Sequence, residues 1–195
     1  RQLSEISEKV TGNTSLATRC KNLADEVEQA LKKYAIADHL NYGKVIAFET
    51  DGFGNRLWMD DSNVPSLLAL PYLGCIALND PLYKSTRKFV LSKDNPWYFS
   101  GKAASGIGSP HTLQDKIWPM TIIMQALTST NTNEIKQCLA MLKTTHGDKG
   151  FMHESFDKDD PGKFTRSWFA WANTLFGELI LKVHGEHPEL LSTSH

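Results

Sequence analysis

Residues 117–129 read IWPMTIIMQALTS, and this stretch decides the fold class. Its apolar side chains fall on nearly every side of a helical projection, so a helix here is buried all round. Working outward, the neighbouring segments read as helices that can cover it. Residues 133–144 place Ile135, Leu139 and Leu142 on one face and charge on the other, before Gly147 and Gly150 break the pattern. From about Arg166 to Val183 a last strong helix is expected to bury Trp168, Phe169, Trp171, Leu175, Phe176, Leu179 and Ile180. His184 and Gly185 stop it. On the other side, Asn79 and Asp80 are capping types before Pro81, which opens a helix-like run through Phe89 and Leu91.

Farther out, Leu16, Leu23, Val27, Leu31 and Tyr34 recur every three or four positions, as one face of a helix from about Leu16 to Ala37 requires. Asn13 and Thr14 are its caps. Asp61 or Ser62 can cap a further helix through Val64 to Leu70, which Pro71 ends. Val45 to Phe48 and Leu57 to Met59 read as the arms of a short hairpin around Gly52 and Gly54. Residues 93–114 read as a long loop, and loops beyond about 15 residues in a compact domain are usually functional or disordered. Trp97, Tyr98, Phe99, Ile107 and His111 make this one too apolar for a disordered linker. The order predicts an all-α domain with one short β-hairpin, and the pairing of buried helices with rich loops suggests a toroid of helical hairpins.

Bulk composition narrows the function. The 195 residues carry 21 basic and 22 acidic side chains, with no basic stripe to follow a phosphate backbone, so nucleic acid is not an expected partner. No apolar run approaches the ~20 residues that span a bilayer, so no membrane partner is expected. Cys20, Cys75 and Cys138 fit neither a disulfide framework nor a zinc spacing, and read as plain thiols. The chain starts at Arg1 with no initiator methionine, which reads as truncation or processing and leaves the compartment open.

Two segments interleave ionisable and aromatic residues. Residues 49–72, ETDGFGNRLWMDDSNVPSLLALPY, set Asp51, Asp60, Asp61, Asn63 and Arg56 beside Phe53, Trp58 and Tyr72. Residues 151–171, FMHESFDKDDPGKFTRSWFAW, set His153, Glu154 and Arg166 beside Phe151, Phe156, Trp168 and Trp171. His111 and Trp118 lie between them. Sugar sites need this mixture: carboxylates, amides and arginine bond the hydroxyls, and aromatic faces cover the C–H side of the ring. Arg166 opposes the dipole at a helix start, which marks it for a specific anion. Asp157, Asp159 and Asp160 read instead as a solvated turn before Pro161, and His39, His146, His184, His187 and His195 as surface residues. The pair His153-Glu154 lacks the second histidine of a zinc helix, and residues 101–108 lack the preceding strand of a phosphate loop, so neither a metal nor another cofactor is expected.

Five stretches now resemble one family: DGFGNRLWMDDSNVPSLLALPYLG, GKAASGIGSPHT, IWPM, MHESF and FTRSWFAWAN, in that order between Ala47 and Leu181. They closely resemble the blocks of glycoside hydrolase family 125. The resemblance implies an (α/α)6 toroid that removes non-reducing-end α-1,6-linked mannose from a glycan with inversion of configuration. It implies that Glu154, in the MHESF block, is the general base that activates water. It implies that Asp60, Asp61, Asn63, His111 and Arg166 hold mannose hydroxyls, with Trp171 a further substrate-binding candidate. The family's general acid is an aspartate well before the DGFGN block, and a full family member is about twice this length. The 195 residues are therefore expected to form the C-terminal portion of a single catalytic domain, with the N-terminal half of that domain as partner. Two other readings remain. A toroid-fold sugar epimerase would need paired histidines, for which His111 and His153 are placed. A non-catalytic carbohydrate-binding or structural remnant is the other, because fold alone does not assign activity.

Overall fold

The computed structural model describes residues 1–192. His195, read above as a surface residue, lies outside them. Six α-helices stand among the described residues: α1 (Gln2–Lys9), α2 (Thr14–Ala30), α3 (Pro81–Val90), α4 (Pro119–Leu127), α5 (Thr132–Thr144) and α6 (Ala170–Glu186). The core gathers around α4, whose Met120, Ile122, Ile123 and Met124 have essentially no exposed surface. Helix α4 packs on both α5 and α6, and α1 packs on α2. The expected caps form: Asn13 accepts from the Leu16 amide at 3.0 Å, and Asp80 from the Leu82 amide at 2.8 Å. Each satisfies an amide that the first turn leaves without a partner.

The all-α expectation with one hairpin needs correcting, because short antiparallel strands build four small sheets among the described residues. Strands β1 (Ile36–His39) and β2 (Gly43–Ile46) pair first, followed by β3 (Glu49–Thr50) and β4 (Arg56–Leu57). The turn around Gly52 and Gly54 thus forms, but Val45 pairs with Ala37 rather than with a residue of 57–59. Helix α2 accordingly ends at Ala30, and a π-helical turn, Leu31–Ala35, leads into β1. The long loop 93–114 holds a third hairpin, β5 (Tyr98–Ser100) with β6 (Ser105–Ile107). A fourth sheet orders β7 (Lys116–Ile117), β8 (Ser155–Asp157) and β9 (Phe164–Thr165). Gly108, just after β6, allows this convergence, since a Cβ there would fall 2.2 Å from the Lys116 carbonyl oxygen.

Three further expectations change. Residues 64–70 form turns, not a helix. The amides of Leu67 and Leu68 donate to the Asp60 carboxylate at 2.8 and 2.9 Å, whereas a helix would direct them to carbonyls four residues back. Trp168 and Trp171 are exposed rather than buried, because α6 starts at Ala170 and turns Leu175 and Leu179 to the core. His39 is not a free surface residue: its ring lies 5.0 Å from Phe89 and 5.7 Å from Trp58 in an aromatic cluster. The turn after β8 forms as expected, with Asp157 accepting from the amides of Asp159 and Asp160.

Candidate active site

Glu154 sits immediately before β8, and its amide donates to the carbonyls of Thr165 and Arg166 at 3.3 and 3.4 Å. Those bonds set the carboxylate beside the segment that carries Arg166. Oε1 of Glu154 lies 3.3 Å from Nε of Arg166. The two side chains differ in environment: that of Glu154 is 15% exposed and that of Arg166 65%. An ion pair with one partner largely in water is weak and opens readily, so the carboxylate is not locked away from a ligand. Arg166 has a backbone φ of 41°, in the left-handed region that non-glycine residues rarely occupy. Such strain persists only where the surroundings over-determine it, and it concentrates at functional sites.

From Arg166 a chain of contacts runs to the other candidates. Its guanidinium lies 5.6 Å from the centre of the Phe169 ring. Phe169 meets Trp118 edge to face at 5.8 Å. The buried Trp118 donates its indole N–H to Oγ1 of Thr112 at 3.0 Å, beside the exposed His111. The His111 amide donates to Oγ of Ser109 at 3.2 Å, and Nδ2 of Asn63 donates to the same oxygen at 3.4 Å. Oδ1 of Asp61 accepts from Nδ2 of Asn63 at 3.0 Å and from its amide at 3.1 Å. The Ser62 amide donates to the Gly108 carbonyl at 3.0 Å, which ties this loop to the end of β6. Asp61, Asn63, His111, Arg166 and Glu154 are thus joined through contacts that span most of the chain. Trp171 lies on the first turn of α6, 40% exposed.

Asp60 has a different job from the one expected. It has no exposed surface, and both carboxylate oxygens accept backbone amides, of Leu67 and of Leu68. Burial pushes its carboxyl up to about 7. Its own amide donates to Oδ1 of the buried Asn95 at 3.2 Å, and Asn95 in turn donates to the Val90 carbonyl. Asp60 therefore anchors the loop that presents Asp61 and Asn63, and a sugar hydroxyl has no path to it. Asp51 is likewise spent on its own turn, accepting from the amides of Phe53 and Asn55 at 2.8 and 3.1 Å.

Sequence reasoning missed Ser109 and Thr112 as parts of this constellation, and it treated Trp118 only as a neighbour. Each acts through a partner remote in sequence, so no local spacing announces it. Tyr72 was also left without a role. Its hydroxyl donates to Oε2 of Glu178 at 2.8 Å and ties the turn after residue 70 to α6, and that bond raises the phenol. His153 has no exposed surface, which leaves His111 without the facing histidine that an epimerase requires. Among the described residues, no group of three or more His, Cys, Asp or Glu is arranged to hold a metal ion. No described helix is long and apolar enough to cross a membrane.

Comparison with known proteins bears on this arrangement. The family model described as metal-independent alpha-mannosidase (GH125) matches residues 1–181. The meiotically up-regulated gene 157 protein of Schizosaccharomyces pombe is 45% identical over 193 residues. That alignment takes in 97% of this chain and 38% of the yeast protein. A solved Streptococcus pneumoniae protein, described as one of a family of metal-independent alpha mannosidases, superposes with a TM-score of 0.91 at 42% identity. The match covers 95% of this chain and 44% of the bacterial one, which was solved as a non-productive substrate complex with α-1,6-mannobiose. The chain thus spans less than half the length of either relative.

Proposed function

Since the chain belongs to the metal-independent alpha-mannosidase family GH125, we propose that it carries the water-activating side of an inverting, exo-acting glycosidase site for α-1,6-linked mannose. The observation that carries the reading is the Glu154–Arg166 pair. A largely sheltered carboxylate, fixed by its own backbone, opens toward solvent through an arginine held in a strained conformation. The mannobiose complex of the bacterial relative supports the linkage. In this reading Glu154 takes a proton from water, and the oxygen attacks the anomeric carbon on the face opposite the leaving glycan. Asp61, Asn63, His111 and Arg166 hold the hydroxyls of the terminal mannose, and Trp171 offers an aromatic face. Asp60 acts one layer behind, by anchoring the loop of Asp61 and Asn63.

The general acid comes from the remainder of the family domain, across a gap of roughly 6.5–9.5 Å that admits the water. The 195 residues then form the C-terminal portion of one (α/α)6 toroid, and the other half is their partner. Supporting this, α1 leaves Leu3 and Ile6 exposed and α2 leaves Leu23 and Val27 exposed, and exposed large apolar side chains on paired helices suit a docking face.

The test uses the full-length protein and α-1,6-mannobiose, with the first anomer released followed by NMR. β-Mannose is expected, and α-mannose as the first product overturns inversion. Glu154→Gln is expected to lower kcat by about 10²–10⁴, the usual worth of a general base. An unchanged rate removes Glu154 from the mechanism and favours a non-catalytic, glycan-binding role.

A further inference from the structure

We propose that His153 is a positioning residue, which clamps together the ends of β8 and β9 that Glu154 and Arg166 flank and so aims the Glu154 carboxylate. The proposal rests on the reading of Glu154 as the base. His153 lies in the interior with no exposed surface. Its Nδ1 is 2.9 Å from the carbonyl oxygen of Ser167. A carbonyl only accepts, so Nδ1 carries the hydrogen and Nε2 is left as an acceptor. The imidazole stacks on Phe164 at 3.8 Å between ring centres, with the planes 8° apart. Phe164 belongs to β9 and pairs with Phe156 of β8, so the histidine holds the opposite segment twice, β9 by its ring face and Ser167 just beyond it by its N–H.

The backbone on either side completes the clamp. Met152 accepts from the amide of Phe169 at 3.1 Å and from Nδ2 of Asn173 at 2.9 Å, while Glu154 donates to the carbonyls of Thr165 and Arg166. Ser167, the residue that His153 holds, directly follows the strained Arg166. Fixing the Ser167 carbonyl therefore helps keep Arg166 in a conformation that it would otherwise leave. The far side of the ring is closed as tightly: a Cβ at Gly147 would fall 3.1 Å from Nε2 and 3.0 Å from the Phe164 ring. Nε2 has no hydrogen-bond partner among the described residues. Burial pushes the imidazole below its ordinary range, in keeping with a neutral ring used for shape and one directed N–H.

A double-variant cycle on the full-length protein with α-1,6-mannobiose tests this. His153→Phe keeps the stack and removes the donor; it is expected to fold, to leave KM near the parental value and to lower kcat by about 10²-fold, as small misplacements of a catalytic group do. His153→Asn, whose amide N–H can occupy the Nδ1 position, is expected to recover most of that loss. Because His153 acts through Glu154, the variant carrying both His153→Phe and Glu154→Gln should be no slower than Glu154→Gln alone. Losses that multiply, a parental rate for His153→Phe, or His153→Asn as slow as His153→Phe each overturn the positioning role and leave the base assignment standing. A parental rate for Glu154→Gln overturns both. Should His153→Phe fail to fold, His153→Gln, whose amide reaches the Nε2 position instead, takes its place in the cycle with the same expectations.

Discussion

Helix α4 hides Ile122, Ile123 and Met124 completely, whereas α2 leaves Leu23 62% exposed and Val27 about half exposed. Both helices follow from apolar spacing, but the spacing carries different information in each. In α4 the apolar residues go all the way round, so the helix has to lie inside whatever forms, and α5 and α6 cover it. In α2 they form one stripe, which says that a face will be covered without saying by what. Among the described residues α1 covers only part of that stripe, and of the α2 side chains only Ala17 is buried. One region is a finished core; the other leaves its apolar stripe largely exposed.

The largest effect that separates them is cavity formation. Ile123→Ala is expected to destabilise the protein by about 2–5 kcal/mol, the range for emptying a packed aliphatic site, as read by chemical denaturation. A loss below about 0.5 kcal/mol, typical of surface changes, would mean that α4 is not the core it is described as. The second effect is a pH slope on the core side. Burial raises the Asp60 carboxyl from 3.8 to about 7 in the folded protein, so the folded state holds this proton more tightly than the unfolded chain. Its contribution is fully present below 3.8 and is lost as pH rises through about 7. The parent's melting temperature should therefore fall across that window, and Asp60→Asn should flatten the fall. An equally steep slope in Asp60→Asn would assign it to another group. The smallest effect belongs to the open face. Leu23→Ala should change the stability of the 195-residue chain by no more than about 0.5 kcal/mol. In the full-length protein the same change should cost more, and an equal, negligible cost in both would show that this face stays uncovered.

The candidate site follows the same division. Glu154, Arg166, Asp61, Asn63 and His111 were legible as residue types within short blocks, since a sugar site needs carboxylate, amide, cation and aromatic face together. Their mutual arrangement was not. The contact chain joins Asn63 to Ser109, Thr112 to Trp118, and Trp118 to Phe169, and only the second of these links is local. Asp60 and Asp61 are adjacent and chemically identical, yet one anchors a loop from the interior and the other is half-buried and bonded to Asn63. Nothing in a pair of neighbouring aspartates distinguishes them; the amides of Leu67 and Leu68 do, and those are met only once the loop has closed.

By itself the sequence determined the caps at Asn13 and Asp80, the start of α2, helices α3 to α6 to within a few residues of their ends, the turn at Asp51–Asn55 and the family likeness. All of these rest on neighbours within a few positions or on short blocks of residue types. Tertiary structure alone decided that residues 64–70 do not coil, that short strands fill the loops, that Trp168 faces out and that His153 lies within. Those outcomes depend on competition for backbone hydrogen bonds and for buried volume between segments that meet only when the chain folds back on itself. Periodicity along a chain cannot encode a competition of that kind.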